Sequence, residues 1–90
     1  MSNRQVLKLY VVSDTAISKK VIKNIKQFLK EAKIEYSLEV IDVLENPELA
    51  VDAGVAATPT LVKEAPPPVK KIVGIINDKK KLFDGLGILE

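Results

Sequence analysis

The sequence predicts a single α/β domain with the element order βαβαββα, and three observations carry that prediction. β-rich stretches at 6–12 and 36–42 flank a segment whose apolar residues recur at helical spacing, the pattern of a βαβ unit with parallel neighbouring strands. A second helix start follows at Asn46-Pro47-Glu48, with a capping residue, proline at the first position and a carboxylate near the positive end. Thr58-Pro59 then opens a third extended stretch; proline lacks the backbone donor and biases the residue before it toward extended geometry, so a strand entrance suits it. The 90 residues, 47% of them hydrophobic, suffice for one small core, with the domain spanning 1–90 and self-association expected to help stabilise it.

Val6-Leu7-Lys8-Leu9-Tyr10-Val11-Val12 is nearly continuously apolar, as a strand covered on both faces must be. Ser13, Asp14 and Thr15 are candidate caps for a helix from about Ala16 to Ala32. Val21, Ile22, Ile25, Phe28, Leu29 and Ala32 form its buried stripe, and Lys19, Lys23, Lys26, Lys30 and Lys33 repeat with the same period on another face. Tyr36-Ser37-Leu38-Glu39-Val40-Ile41-Asp42 alternates like a strand with one partly exposed face. The helix after Asn46 must be short, because Gly54 is a stop within two turns. Thr60-Leu61-Val62-Lys63 extends, Ala65-Pro66-Pro67-Pro68 is a stiff connection without donors, and Val69 to Ile76 reads as the next strand. Asn77 or Asp78 caps a last helix through Leu82, Phe83 and Leu86, with Gly85 and Gly87 in or after its final turn. Glycine inside a helix costs about 1 kcal/mol relative to alanine, so that helix depends on packing.

Composition removes several chemistries. The chain has no cysteine and no histidine, which excludes disulfides, thiolate metal sites and thiol redox, and removes the commonest general base and metal ligand. No apolar run approaches the ~20 residues of a membrane span, and a soluble, cytoplasmic protein without cofactor or metal is the expectation. Charge is segregated: residues 1–33 carry a balance of +6, residues 34–62 carry −6, and residues 63–90 carry +2. Such asymmetry orients charged partners. The lysine stripe invites a nucleic-acid reading, but only Tyr10, Phe28, Tyr36 and Phe83 are aromatic and Arg4 is the single arginine. Single-strand binding wants stacking platforms and base reading favours arginine, so nucleic acid is not the expected partner.

The element order with Thr-Pro before the third strand resembles the thioredoxin-like arrangement, in which this proline is characteristically cis; base rates for X-Pro alone favour trans. The Cys-X-X-Cys of such enzymes would lie where this chain has Ser13-Asp14-Thr15-Ala16, so no thiol–disulfide enzyme is possible. More specifically, Leu7-Lys8-Leu9-Tyr10-Val11, Thr15, Ser18, Val40-Ile41-Asp42-Val43-Leu44, Asn46-Pro47, Leu49-Ala50, Ala57-Thr58-Pro59-Thr60-Leu61, Pro66-Pro67-Pro68-Val69 and Gly74 together resemble the KaiB family of circadian-clock proteins. The resemblance implies a non-enzymatic partner of the ring ATPase KaiC. It also implies a metamorphic fold: an N-terminal half common to both states, and a C-terminal half either re-paired in a ground-state tetramer or dimer, or thioredoxin-like in a monomer that binds the ATPase. KaiA and a sensor histidine kinase carrying a KaiB-like domain are the further partners it implies.

Carried over residue by residue, the family's basic ATPase-binding positions correspond to Lys8, Lys20, Lys63, Lys70 and Lys71. Thr58, Pro59, Gly85 and Gly87 are the candidate fold-switching or structural positions, lying in the half expected to change fold. Each lysine also has the plainer reading of a solvated surface charge. Glu39 stands where a lysine is usual, Ser13 and Ala16 replace a glycine and a proline, Ile75-Ile76 stands for Asp-Leu, and Gly87 for an aspartate. The alternative function is a KaiB-like module redeployed in signalling or stress response without a full oscillator. An enzyme is the least supported reading, since no carboxylates or lysines pair convincingly.

Overall fold

Strand β1 (Gln5–Val11) takes the middle of the sheet because its residues are apolar toward both faces. The computed structural model, which describes residues 4–88, pairs β1 in parallel with β2 (Tyr36–Asp42) and antiparallel with β3 (Thr60–Ala65). Antiparallel to β3 lies β4 (Lys70–Val73), giving the order β2-β1-β3-β4. Helices α1 (Ala16–Glu31), α2 (Pro47–Asp52) and α3 (Lys79–Leu86) complete the expected βαβαββα sequence. The ends of the expected 1–90 domain, 1–3 and 89–90, lie outside the described residues.

The two faces of the sheet have separate cores. On one side Leu7, Leu9, Val11, Leu61 and Ile72 meet Val21, Ile25 and Leu29 of α1 and Leu82, Phe83 and Leu86 of α3. On the other, Tyr10, Ile41 and Val62 meet Ala50 of the short α2. The alternation of side chains along β1 sends Leu7, Leu9 and Val11 one way and Tyr10 the other. The stripe expected on α1 is correct in phase: Val21, Ile25 and Leu29 are buried, Ile22 and Phe28 half-buried, whereas Ala32 lies past the last turn and is exposed.

Helix ends follow from local chemistry. Of the three candidate caps before α1, Thr15 is the one used; its Oγ1 accepts the Ser18 N–H at 3.0 Å and donates to the Val12 carbonyl. Asp78 caps α3, its carboxylate accepting the Lys81 N–H at 2.7 Å. Asn46 precedes α2 but makes no side-chain cap; its amide instead donates to the Asp42 carbonyl at 3.2 Å. All three helices stop with paired bonds closing around a left-handed residue: Lys33 (φ 57°) after α1, Gly54 (φ 71°) after α2 and Gly87 (φ 74°) after α3. The next residue, Ile34, Val55 or Ile88, donates back to Leu29, Ala50 or Phe83. Gly54 is thus the stop that the sequence marks, and Lys33 is a non-glycine in a position that favours glycine.

Two strand boundaries differ from the sequence reading. β3 continues through Glu64 to Ala65, two residues beyond Lys63. β4 covers only Lys70–Val73, not Val69 to Ile76, because Gly74 turns at φ 99° and its N–H donates to the Pro59 carbonyl at 2.8 Å. Past that turn the carbonyls of Ile75 and Ile76 bond to Lys81 Nζ and Asn24 Nδ2, at 2.9 and 3.0 Å. Ile76 is thereby swung into the helix-side core instead of continuing the ladder. The Thr58-Pro59 bond is cis, as the thioredoxin-like resemblance implies, and so are Ala65-Pro66 and Pro67-Pro68.

Candidate functional site

Strand register decides which of the five expected contact lysines act together. Glu39, Lys8, Val62 and Lys71 form one cross-strand row spanning β2, β1, β3 and β4. The neighbouring row, Leu38, Leu7, Lys63 and Lys70, points to the opposite face, because side chains alternate along each strand. Lys8 and Lys71 therefore share the α2 face, with Val62 between them, while Lys63 and Lys70 lie on the α1/α3 face. Lys20 sits on α1, exposed. Lys70 and Lys71 are exposed as expected, but Lys63 is only 5% exposed. Lys63 lies in the row beside Leu7, on the face that carries α1 and α3, and most of its side chain is covered there.

Between Lys8 and Lys71 the α2 face carries a hollow of about 400 Å³ whose floor includes Tyr10 and Val62 and whose walls include Leu49 and Val69. Lys8 Nζ lies 3.4 Å from Glu64 Oε1, both side chains more than a third exposed, a pair worth little to stability. Lys71 Nζ reaches the Gly54 carbonyl at 3.5 Å, linking β4 to the end of α2. Burial pushes the Tyr10 phenol above its usual 10.0; the Lys8 ammonium opposes that rise, and Glu64 and Glu39 add to it. Tyr10 is therefore a neutral hydroxyl at physiological pH, and the hollow sets Lys8 and Lys71 together with Asp52 and Glu64 around an apolar floor. The sequence reading named Lys8 and Lys71 but not Tyr10, Val62 or Glu64. Their period-two spacing, Lys8 with Tyr10 and Val62 with Glu64, was the available signal.

The four positions expected to govern fold switching are structurally unlike one another. Thr58 is exposed and Pro59 buried, at the entrance of β3. Gly87 supplies the left-handed end of α3. Gly85 lies inside α3, where a Cβ would overlap Ile72 Cγ1 and Cδ1. Glycine there lets the helix approach β4 closely, a reason that its low helix propensity conceals.

An α/β sheet of this order, with a cis proline facing the start of α1 and Ser13-Asp14-Thr15-Ala16 where a redox pair would stand, defines a thioredoxin-like protein without thiol chemistry. Solved structures agree on the fold. The N-terminal domain of Synechococcus elongatus SasA superposes with a TM-score of 0.78 at 27% identity, covering 96% of this chain and 82% of that one. Chloroplastic thioredoxin z gives 0.71 at 19% identity, covering 94% and 77%. The KaiB domain model matches residues 8–88. The circadian clock oscillator protein KaiB of Microcystis aeruginosa is 48% identical over 85 residues, 93% of this chain and 82% of that protein. The chain belongs to the KaiB family of circadian-clock proteins.

Proposed function

We propose that this protein is a non-enzymatic clock regulator, one KaiB-like domain over 1–90 that binds a KaiC-type ring ATPase and modulates its phosphorylation and ATPase cycle. The observation that carries the reading is the family match across residues 8–88, which includes both halves of the sheet. The geometry supports a contact surface with Lys8 and Lys71 flanking the hollow over Tyr10 and Val62; Lys70, on the β4 edge strand, and Lys20, on α1, belong to the other face of the sheet. Exposed cations of this kind steer an acidic partner and fix its orientation more than they add affinity. Lys63 has no direct part in this surface.

The likeness to the SasA N-terminal domain supports competition for one partner surface between this protein and a sensor kinase carrying such a domain; KaiA is the other partner of this reading. The described arrangement is thioredoxin-like, and in this reading it is the state that binds the partner. Its alternative is a ground-state tetramer or dimer with the C-terminal half re-paired, two packings separated by a few kcal/mol. Short elements support that: α2 has 6 residues and β4 has 4, so little secondary structure is lost on re-pairing.

The test is co-migration with a purified KaiC-type ATPase with ATP, with ADP and without nucleotide. Nucleotide-dependent binding is expected, weakened about tenfold by Lys70→Glu with Lys71→Glu and by added salt. No binding under any nucleotide condition overturns the reading.

A further inference from the structure

Helix α1 carries a line of lysines outside the set expected to meet the ATPase. Lys19, Lys23, Lys26 and Lys30 are all exposed, and at about 3.6 residues per turn they fall within an arc of about 60° along about 16 Å of helix. Lys33 extends the line past the helix end, exposed and at φ 57°, a backbone setting that favours glycine. Among the described residues none of these lysines is ion-paired. The one acidic residue of α1, Glu31, lies on the flank toward α3, where it bonds to Gln27 and Lys79. Asn24, which holds the Ile76 carbonyl, marks the same flank. The lysine line is turned about 120° away from it. Like charges three and four residues apart repel, so the line weakens the helix that bears it.

We infer that this line is a binding site for a linear phosphate polyanion, inorganic polyphosphate, laid lengthwise along α1 from Lys19 to Lys33. Three features select that ligand. The ammonium of lysine is a compact point charge that suits phosphate oxygens, and the helix bears no arginine fork. The line has no apolar or aromatic centre: Ile17, the exposed large apolar residue of α1, lies about 150° around the helix from it, and Phe28 is half-buried. Protein interfaces need such a centre and are poor in lysine, and single-stranded nucleic acid wants stacking platforms. The charges also form one row and not a field. On the neighbouring α3, Lys79 and Lys80 are already paired with Glu31 and Asp84, so a flat anionic membrane would meet a single row. An isolated phosphate or triphosphate spans too little of the row to engage all of it. The hollow beside Lys8 and Lys71 lies across the sheet from α1, so the site is independent of the ATPase contact and leaves that face open.

The test follows the fluorescence anisotropy of end-labelled long-chain polyphosphate on adding the full-length protein, with tripolyphosphate, poly-dT and phosphatidylglycerol vesicles as competitors. Saturable binding is expected, displaced far less well per phosphate by tripolyphosphate than by the long chain. Release of about 0.7 counterion per ammonium gives a slope near −3.5 in log K against log salt, an about hundredfold loss between about 50 and 200 mM. Lys23→Gln with Lys26→Gln and Lys30→Gln should reduce that slope by about 2 and weaken binding at least about tenfold, whereas Lys80→Gln should leave binding within about twofold of the parent protein. Retained ¹⁵N amide shifts outside α1 verify that the triple variant is folded; if it is not, the single Lys26→Gln should still reduce the slope by about 0.7. Absence of saturable binding overturns the inference, and so does a folded triple variant that binds like the parent. Tripolyphosphate equal to the long chain per phosphate overturns it as adventitious ion binding only. Competition by poly-dT or by the vesicles as strong per charge as that of polyphosphate overturns it too, assigning the line to nucleic acid or to a membrane surface.

Discussion

The two halves of this molecule are built to different standards of local strength. The N-terminal half joins two 7-residue strands in parallel through a 16-residue helix with a side-chain cap and a clean apolar stripe. The C-terminal half has helices of 6 and 8 residues, a 4-residue edge strand, and a glycine inside α3. The first half is specified by periodicity within each element. The second is held by contacts to the first: Leu82, Phe83 and Leu86 pack onto the same core as α1, and Asn24 of α1 holds the connection after β4. Weak local preference with strong tertiary dependence is what a segment capable of two pairings requires.

Core truncations should separate the halves most clearly. Ile25→Ala and Leu82→Ala each empty a fully buried site and should each cost about 2–5 kcal/mol in urea denaturation. Native-state hydrogen exchange then tells them apart: Ile25→Ala should lower protection throughout the chain, whereas Leu82→Ala should lower it first in 60–88. Equal loss in both halves for both variants would erase the contrast.

Gly85→Leu comes next. The new side chain would collide with Ile72, and overpacking of this kind should cost roughly 1–3 kcal/mol. The effect exceeds any helix-propensity gain from replacing glycine, which is about 1 kcal/mol at most. An unchanged urea midpoint would show that α3 does not need the close approach.

Lys33→Gly probes the stronger half from the other direction. Lys33 holds φ 57° at the end of α1, and a glycine there should raise stability by up to about 1 kcal/mol by removing the left-handed penalty. A lower midpoint would contradict the geometry.

The smallest effect is electrostatic. Hydrogen bonds from Gln27 and then Lys79 hold the Glu31 carboxyl below its usual value, and the Lys79 Nζ contact, at 3.2 Å, joins α1 to α3. A carboxyl depressed in the folded state stabilises above its ordinary pKa and loses that contribution as pH falls through the folded value. Glu31→Gln should therefore flatten the acid limb of a stability–pH profile below about pH 4.5 and leave neutral pH little changed. An unaltered acid limb would mean that the contact between the helices is not formed in solution.

Particular residues show why some features were readable and others not. The stripe of Val21, Ile25 and Leu29 was visible because burial on one helix face must repeat every three to four residues. The lysine set of the candidate site could be named, but not its sidedness. Lys8 and Lys71 meet only because β1, β3 and β4 pair in one register, and Lys63 reads as surface in any one-dimensional view although most of its side chain is covered. Val69 to Ile76 has the composition of one strand, yet a hydrogen bond from Gly74 to Pro59 and the reach of Asn24 from α1 cut it short.

Local chemistry in the chain was enough to specify the element order, the central place of β1, the stretches that cap α1 and α3, the absence of thiol chemistry and the segregation of charge. Each depends on the spacing or identity of residues close together in sequence. Tertiary structure alone decided the end of β4, the burial of Lys63, the steric need for Gly85 beneath Ile72 and the gathering of Lys8 and Lys71 around one hollow. Those depend on which distant backbones pair and how closely they approach, and pairing is settled by the shared core.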